Sequence, residues 1–270
     1  MKLSKDIQFP AQAHQDQWET LKQFTDARIA IGRTGCSIPT RALLDFQLSH
    51  AQAKDAVFQC LNVKLLTEQL QQLGLTPIHV QSQAEHKELY LKRPDLGRLL
   101  STDSTQQLQQ IRKASQGYDV CIVIGDGLSA RAIEENALPF IQALIQPFAE
   151  QQWSLAPVVI ATGSRVALGD EIAEIFQARM LIMLIGERPG LSSPDSMGLY
   201  YTWGAHSGCL DSQRNCISNI RPAGLSIPIA TQRLLALMHN SKRLGFSGVD
   251  LKDEHVVPIV AEHHQRRLLF

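Results

Sequence analysis

The chain has 270 residues, 44 % of them apolar, which suffices for one large domain or two small ones around a real core. Lys and Arg number 26, as do Asp and Glu, and no block of like charge stands out, so neither nucleic acid nor a membrane surface is predicted as a partner. Five scattered cysteines, a polar start without a signal-peptide core and no run of ~18 apolar residues predict a cytoplasmic protein without disulfides or membrane spans.

The first part of the chain, residues 1–115, is predicted to be mostly helical. Residues 17–24 fit one or two helical turns. Pro39 fits the first turn of a helix in which apolar residues recur at helical spacing from Leu43 to Ala56, and a second, amphipathic segment stops at Gly74. The exception in this part is a weak strand over residues 78–81. After it, residues 93–97 are predicted to form a turn that starts a helix, and residues 108–114 have a helical pattern.

The pattern changes at Tyr118, where short apolar runs begin to alternate with longer helical ones. Strands are predicted at residues 119–124, 157–161 and 181–185, with helices at 128–148 and 170–178 between them. This alternation predicts an α/β fold with a Rossmann-like parallel sheet and helices on both faces. Two more strands, at residues 199–203 and 216–220, and a closing helix at 229–244 that stops at Gly245 complete the prediction.

Each of the three apolar strands ends in a loop that contains glycine. The loops begin at Gly125, Thr162 and Gly186, and the last of them carries the carboxylate Glu187. Because ligands of open α/β sheets bind beyond the carboxyl ends of the strands, the three loops are predicted to face a ligand together.

Several motifs allow other chemistry. The segment GDGLSA meets the relaxed dinucleotide fingerprint, with Ala130 in the place of the third glycine, but the acidic residue expected on the ribose is missing. Ser129 lies in a sequence that resembles a nucleophile elbow without its last glycine, and helix capping is the alternative. The loop GRTG at residues 32–35 is either a turn or a phosphate loop that lacks the Lys-Ser/Thr ending.

Two metal or cofactor motifs are incomplete. His206, Cys209 and Cys216 have the side chains that zinc prefers, yet no paired CxxC motif and no fourth ligand accompany them. The cobamide motif DxHxxG is approached only at residues 253–258, where Pro258 replaces the glycine.

Specific segments of the chain closely resemble the small (light) subunit of ethanolamine ammonia-lyase. They are GERPGL, PDSMGLY and NCISNIRP in the second half, and GRTGCSIPT and YLKRPDLGRLL in the first. The resemblance extends over residues 26–248. It implies an adenosylcobalamin-dependent enzyme that converts ethanolamine to acetaldehyde and ammonia by a radical mechanism. In this family the cofactor keeps its own benzimidazole on cobalt, which agrees with the missing DxHxxG motif.

The resemblance also implies partners. The large subunit of the family is a TIM barrel that carries the substrate residues, so no catalytic residue is assigned here, and the enzyme is a hetero-oligomer of large/small pairs. Residues 1–115 would contact the large subunit, residues 116–250 would form a Rossmann-like cobalamin-binding domain, and the tail at 251–270 stays unassigned. Relatives can also lie inside a bacterial microcompartment, but the polar start shows no clear amphipathic helix for that purpose.

Three positions match those that contact cobalamin in the family: Val166, Glu187 and Cys216. A carboxylate accepts hydrogen bonds from the amide groups on the rim of a corrin, and Val and Cys offer small apolar contacts. The alternative function is a stand-alone Rossmann-like nucleotide-binding module or enzyme. That alternative predicts a monomer, whereas a subunit should expose an apolar face on its amino-terminal helices.

Overall fold

The computed structural model describes residues 16–112 and 117–252, and this part of the chain is a mixed α/β fold. Its helices are α1 (Thr40–Phe58), α2 (Val63–Gln72), α3 (Lys87–Lys92), α4 (Thr102–Ile111), α5 (Ala130–Glu150), α6 (Leu168–Phe176) and α7 (Ile227–Leu244). Its strands are β1 (Pro77–Gln81), β2 (Val120–Gly125), β3 (Val158–Thr162), β4 (Met180–Gly186), β5 (Met197–Trp203) and β6 (Arg214–Ile220). Short 3-10 helices cover Gln17–Phe24, Leu96–Arg98, Asp211–Gln213 and Gly248–Asp250.

The six strands form one sheet in the order β1-β3-β2-β4-β5-β6. The first four are parallel, and every residue of β2 and β4 is buried. Strands that are covered on both faces need apolar side chains at successive positions, which explains the continuous apolar runs at these two strands. The weak strand predicted over residues 78–81 is confirmed as β1, which pairs with β3 at one edge.

The expectation of a purely parallel sheet is wrong for its last two strands. Both β5 and β6 run antiparallel to their neighbours. The reason is the length of the connections, residues 187–196 and 204–213, neither of which contains an α-helix. A parallel return needs a crossover of about a dozen residues or more, usually helical, so these short links favour antiparallel pairing.

Helices cover both faces of the sheet, as predicted. On one face α2, α5 and α7 pack over a core that includes Ile122, Leu184 and Tyr201. On the other face α6 packs on β2 and β4, and α4 packs on α6, around a second core that includes Val123 and Met183. Adjacent residues of a strand point to opposite faces. Because Tyr201 lies in the first core, its neighbour Tyr200 belongs to the α6 face.

The helix ends follow the signals in the sequence, with one shift. The predicted stop of α7 at Gly245 is confirmed, because this glycine has a φ of +82° and closes the helix in the left-handed conformation. Pro39 was expected inside the first turn of α1, but it precedes that turn as the N-cap. Among the described residues, no helix combines the length and the apolar character needed to cross a membrane.

The amino-terminal helix α1 is covered by little of the chain. Ala56 is its buried residue, whereas five large apolar side chains are exposed by 41–60 %. They are Leu43, Leu44, Phe46, Leu48 and Phe58. Apolar surface of this extent is typical of a face that meets another protein. The division between residues 1–115 and 116–250 stays a prediction, and β1 shows that the sheet includes a strand from the first part.

Candidate functional site

Tyr200 and Cys216 lie directly opposite each other in β5 and β6, on the α6 face of the sheet. Cys216 is exposed and Tyr200 is half-buried, so this end of the face is open. Burial, and then the neighbouring Cys216, raise the pKa of Tyr200 to about 12. Desolvation by surrounding protein atoms also raises the pKa of the Cys216 thiol. Both groups therefore stay protonated at neutral pH and offer an uncharged contact surface.

Glu187 follows β4 and is held in place by two donors. Its Oε2 accepts hydrogen bonds from the Ser196 hydroxyl (2.5 Å) and from the backbone N–H of Asn219 (3.2 Å). The carboxylate lies against Gly198, where a Cβ atom would come within 2.8 Å of Oε1. Gly198 and Tyr200 lie on the same face of β5, so Glu187 is on the same side of the sheet as Tyr200. Its Oε1 accepts no hydrogen bond from residues 16–112 or 117–252.

A β-bulge supplies one of the two donors. The pairing of β5 with β6 shifts between Met197, opposite Ile220, and Leu199, opposite Ile217. Asn219 takes up the extra length with a φ of +61°, a conformation that asparagine tolerates better than most residues. The bulge turns the Asn219 N–H toward the Glu187 carboxylate, which fixes the orientation of that carboxylate.

Val166 comes from a different element, the loop between β3 and α6. It is partly buried and packs against the core under α6. Together with Tyr200 it lines a cavity of about 510 Å³. Tyr200 also pairs with Cys216, and Glu187 lies against Gly198, two residues before Tyr200 on the same face of β5. The three positions carried over from the family resemblance are thus brought together around one tyrosine.

A buried ion pair connects the elements that carry this site. Arg214 of β6 donates two hydrogen bonds to Asp170 of α6, at 2.5 and 2.6 Å, and both side chains are 2 % exposed. Arg214 also donates to the carbonyl of Cys209. Because Asp170 is four residues after Val166 and Arg214 two residues before Cys216, the pair fixes the distance between these two positions.

The loop after β2 is packed against neighbouring segments, which argues against both the serine-nucleophile and the dinucleotide hypothesis. Ser129 is fully buried; its hydroxyl accepts from the N–H of Ala132 and donates to the carbonyl of Pro194, so the capping interpretation is confirmed. Asp126, in the glycine-containing loop after β2, accepts from the N–H groups of Gly163 and Ser164. These contacts join the loops after β2 and β3 to each other rather than leaving them open for a pyrophosphate.

The three-residue metal hypothesis is not supported by the placement of its members. His206 Nδ1 lies 3.4 Å from the sulfur of Cys209, but Cys216 faces Tyr200 instead. The described part of the chain contains no group of three His, Cys, Asp or Glu side chains that would hold a metal ion. The GRTG segment forms an exposed turn closed by pairing of Thr34 with Ser37. The approximate cobamide motif at 253–258 lies outside the described residues.

Some of the residues that build the site were not singled out from the sequence. Ser196, Gly198 and Tyr200 lie within the motif PDSMGLY, and Asn219 lies within NCISNIRP. The alternation of side chains along the predicted strand at 199–203 places Tyr200 on the face opposite to Leu199 and Tyr201. No local signal predicts the bulge that turns Asn219 toward Glu187.

Comparison with known proteins gives a consistent result. A family model described as ethanolamine ammonia-lyase light chain matches residues 15–252. A protein of Pseudomonas aeruginosa (strain LESB58) named ethanolamine ammonia-lyase small subunit is 48 % identical over 250 residues, covering 92 % of both chains. A protein of the same name from Pseudomonas fluorescens (strain Pf0-1) is 50 % identical over 241 residues, covering 89 % of this chain and 88 % of that one.

Proposed function

Because the chain belongs to the ethanolamine ammonia-lyase small-subunit family, and so to a carbon–nitrogen lyase, we propose that it binds adenosylcobalamin where it meets a large catalytic subunit. The complex would convert ethanolamine to acetaldehyde and ammonia by a radical mechanism. The observation that carries the proposal is the convergence of Val166, Glu187 and Cys216 around Tyr200, on a partly open face of the sheet.

The side chains of this face fit the rim of a corrin. Amide groups project from that rim, and Glu187 Oε1 is free to accept a hydrogen bond from one of them, strengthened by the charge of the carboxylate. Oε2 is already engaged, which holds the free oxygen in a fixed position. Val166 and the protonated Cys216 add apolar contact, and Gly198 leaves room for the carboxylate to lie close to the sheet.

Adenosylcobalamin, when bound, supplies the organic radical that starts the rearrangement of the substrate. This chain binds and orients the cofactor and excludes water from one side of it. Tyr200 and Cys216 both have raised pKa values, so these two groups stay protonated at neutral pH and do not act as proton acceptors. We therefore assign no catalytic residue here and place the substrate-binding groups on the large subunit.

The exposed apolar side chains of α1 support a large subunit as the partner. Trp18, in the 3-10 helix that precedes α1, is 66 % exposed, so the exposed apolar residues are not confined to α1. A chain of the small-subunit family has a large subunit as its partner, and burial of this surface would stabilise the pair by the hydrophobic effect. The same proposal includes a TIM-barrel partner, a hetero-oligomer of such pairs and a Rossmann-like cofactor domain.

Co-expression with a large subunit of the same family tests this function. Acetaldehyde should form from ethanolamine only when both chains and adenosylcobalamin are present, and the two chains should co-purify. A stable monomer that binds a nucleotide and gives no activity with any large subunit would refute the proposal and favour the stand-alone nucleotide-binding module. Omission of each component in turn is the control for background acetaldehyde.

A further inference from the structure

Two arginines line the same cavity as Val166 and Tyr200. Arg165 immediately precedes Val166, and Arg98 lies in the 3-10 helix Leu96–Arg98. Two carboxylates, Asp95 and Asp211, also line this cavity. The charge that a ligand would meet there depends on which of these four groups already have partners.

Both carboxylates are engaged by arginines that do not line the cavity. Asp95 accepts two hydrogen bonds from Arg93, and Asp211 lies 3.5 Å from the Nε of Arg214. By contrast, neither Arg98 nor Arg165 has a carboxylate within ion-pair distance in the described part of the chain. Because Arg214 is shared between Asp211 and Asp170, the cavity and these partners together keep one net positive charge, and both Arg98 and Arg165 remain available to an anion.

The backbone holds the two arginines near each other. The Arg165 N–H donates to the carbonyl of Gly97, the residue before Arg98, at 2.7 Å. Gly97 permits this approach, since a Cβ atom there would come within 2.9 Å of the Gly163 carbonyl oxygen. The Arg165 guanidinium lies 4.3 Å from the centre of the Tyr90 ring, and its buried Nε has no hydrogen-bond partner among residues 16–112 and 117–252. These contacts hold the Arg165 guanidinium and the backbone before Arg98 in place.

We infer that Arg98 and Arg165 bind the phosphodiester in the nucleotide loop of the cofactor, an inference that rests on the proposed function. The amide side chains of a corrin are neutral, and the phosphodiester is the anionic group that its nucleotide loop carries. Arginine is well suited to such a group, because its planar guanidinium donates two parallel hydrogen bonds to phosphate oxygens. The cavity is continuous with Val166 and Tyr200, so a corrin against those residues brings its nucleotide loop within reach.

The inference is tested on the co-expressed complex with two probes, cyanocobalamin and dicyanocobinamide, the second of which lacks the nucleotide loop and its phosphodiester. The variants are Arg98→Gln and Arg165→Gln, with Arg131→Gln as the matched control, an exposed arginine of α5 paired with Glu135. Each cavity variant should weaken cyanocobalamin binding about tenfold, the effect of one charge-assisted hydrogen bond. Dicyanocobinamide binding should change less than about twofold, as expected for an interaction that this probe cannot make.

The outcomes are distinct. An equal loss for both probes would mean that the arginines support the corrin or the fold, and an unchanged affinity for cyanocobalamin would mean that they do not bind it; either result overturns the inference and leaves the proposed function standing. If the wild-type complex binds neither probe, the proposed function itself fails. If dicyanocobinamide binds too weakly to titrate, the salt dependence of cyanocobalamin binding is measured instead. Wild-type affinity should fall as the salt concentration rises, and the double variant Arg98→Gln/Arg165→Gln should lose that dependence.

Discussion

Replacement of Asp170 by asparagine should destabilise the protein more than any other change of a single charge near the site. The substitution keeps the shape of the side chain but leaves the Arg214 guanidinium, 2 % exposed, without its counter-charge. Removing one partner of a buried ion pair costs about 3–5 kcal/mol, because the other charge stays buried and uncompensated. For a domain of this size each kcal/mol lowers the melting temperature by roughly 2–4 °C, so we expect a loss of roughly 6–20 °C.

The same guanidinium provides a matched control. Asp211 also contacts Arg214, at 3.5 Å, but its side chain is 82 % exposed. Because exposed ion pairs contribute about 0–1 kcal/mol, Asp211→Asn should lower the melting temperature by no more than roughly 4 °C. The assay is thermal unfolding of the co-expressed complex, followed by tryptophan fluorescence at one fixed protein concentration. The double variant Asp170→Leu/Arg214→Met should recover most of the stability, because apolar residues of similar volume can replace a buried pair.

A result in which Asp170→Asn costs no more than Asp211→Asn would refute this reasoning. It would mean that the pair does not hold α6 and β6 together as the geometry indicates. The reasoning also extends to the cofactor: loss of the pair should weaken cobalamin binding, since Val166 lies just before α6 and Cys216 lies in β6.

Three further predictions concern the site and the docking face. Because the pKa of Tyr200 is raised to about 12, the folded state keeps this proton while the unfolded chain loses it, so stability should fall as pH rises from about 10 to about 12; Tyr200→Phe should reduce that fall in alkaline unfolding curves. Cobalamin should protect Cys216 from alkylation by iodoacetamide, detected by mass spectrometry, while the exposed Cys36 reacts equally with and without it. Leu48→Asp should prevent co-purification with the large subunit, whereas Val249→Asp, at a position that is 70 % exposed, should not.

The parallel part of the fold was predictable where its strands are buried on both faces. The buried runs of β2 and β4 and the glycine-containing loops after them set both the strand positions and the edge where Glu187 lies. The direction of β5 was not predicted. Strand direction depends on whether the connection carries a helix, and the connection at 187–196 carries none.

The site was predicted in its parts but not in its assembly. Family motifs pointed to Val166, Glu187 and Cys216, yet nothing in the local sequence shows that Tyr200 connects them. The register of β5 against β6 depends on a bulge at Asn219, and register is a property of the whole sheet. Arg98 lies in the motif YLKRPDLGRLL, but its lack of a carboxylate partner depends on the fold and has no signal in the local sequence.

The most direct test of the account is the cofactor requirement of the co-expressed enzyme with Glu187→Ala. The substitution removes one charge-assisted hydrogen bond, worth roughly 1.5–3 kcal/mol, so half-maximal acetaldehyde formation should need roughly ten- to hundredfold more adenosylcobalamin. Glu174→Ala is the matched control, since Glu174 also accepts from a serine hydroxyl, that of Ser207, but lies outside the site. An unchanged requirement in Glu187→Ala, or an equal rise in both variants, would contradict the placement of cobalamin on this face.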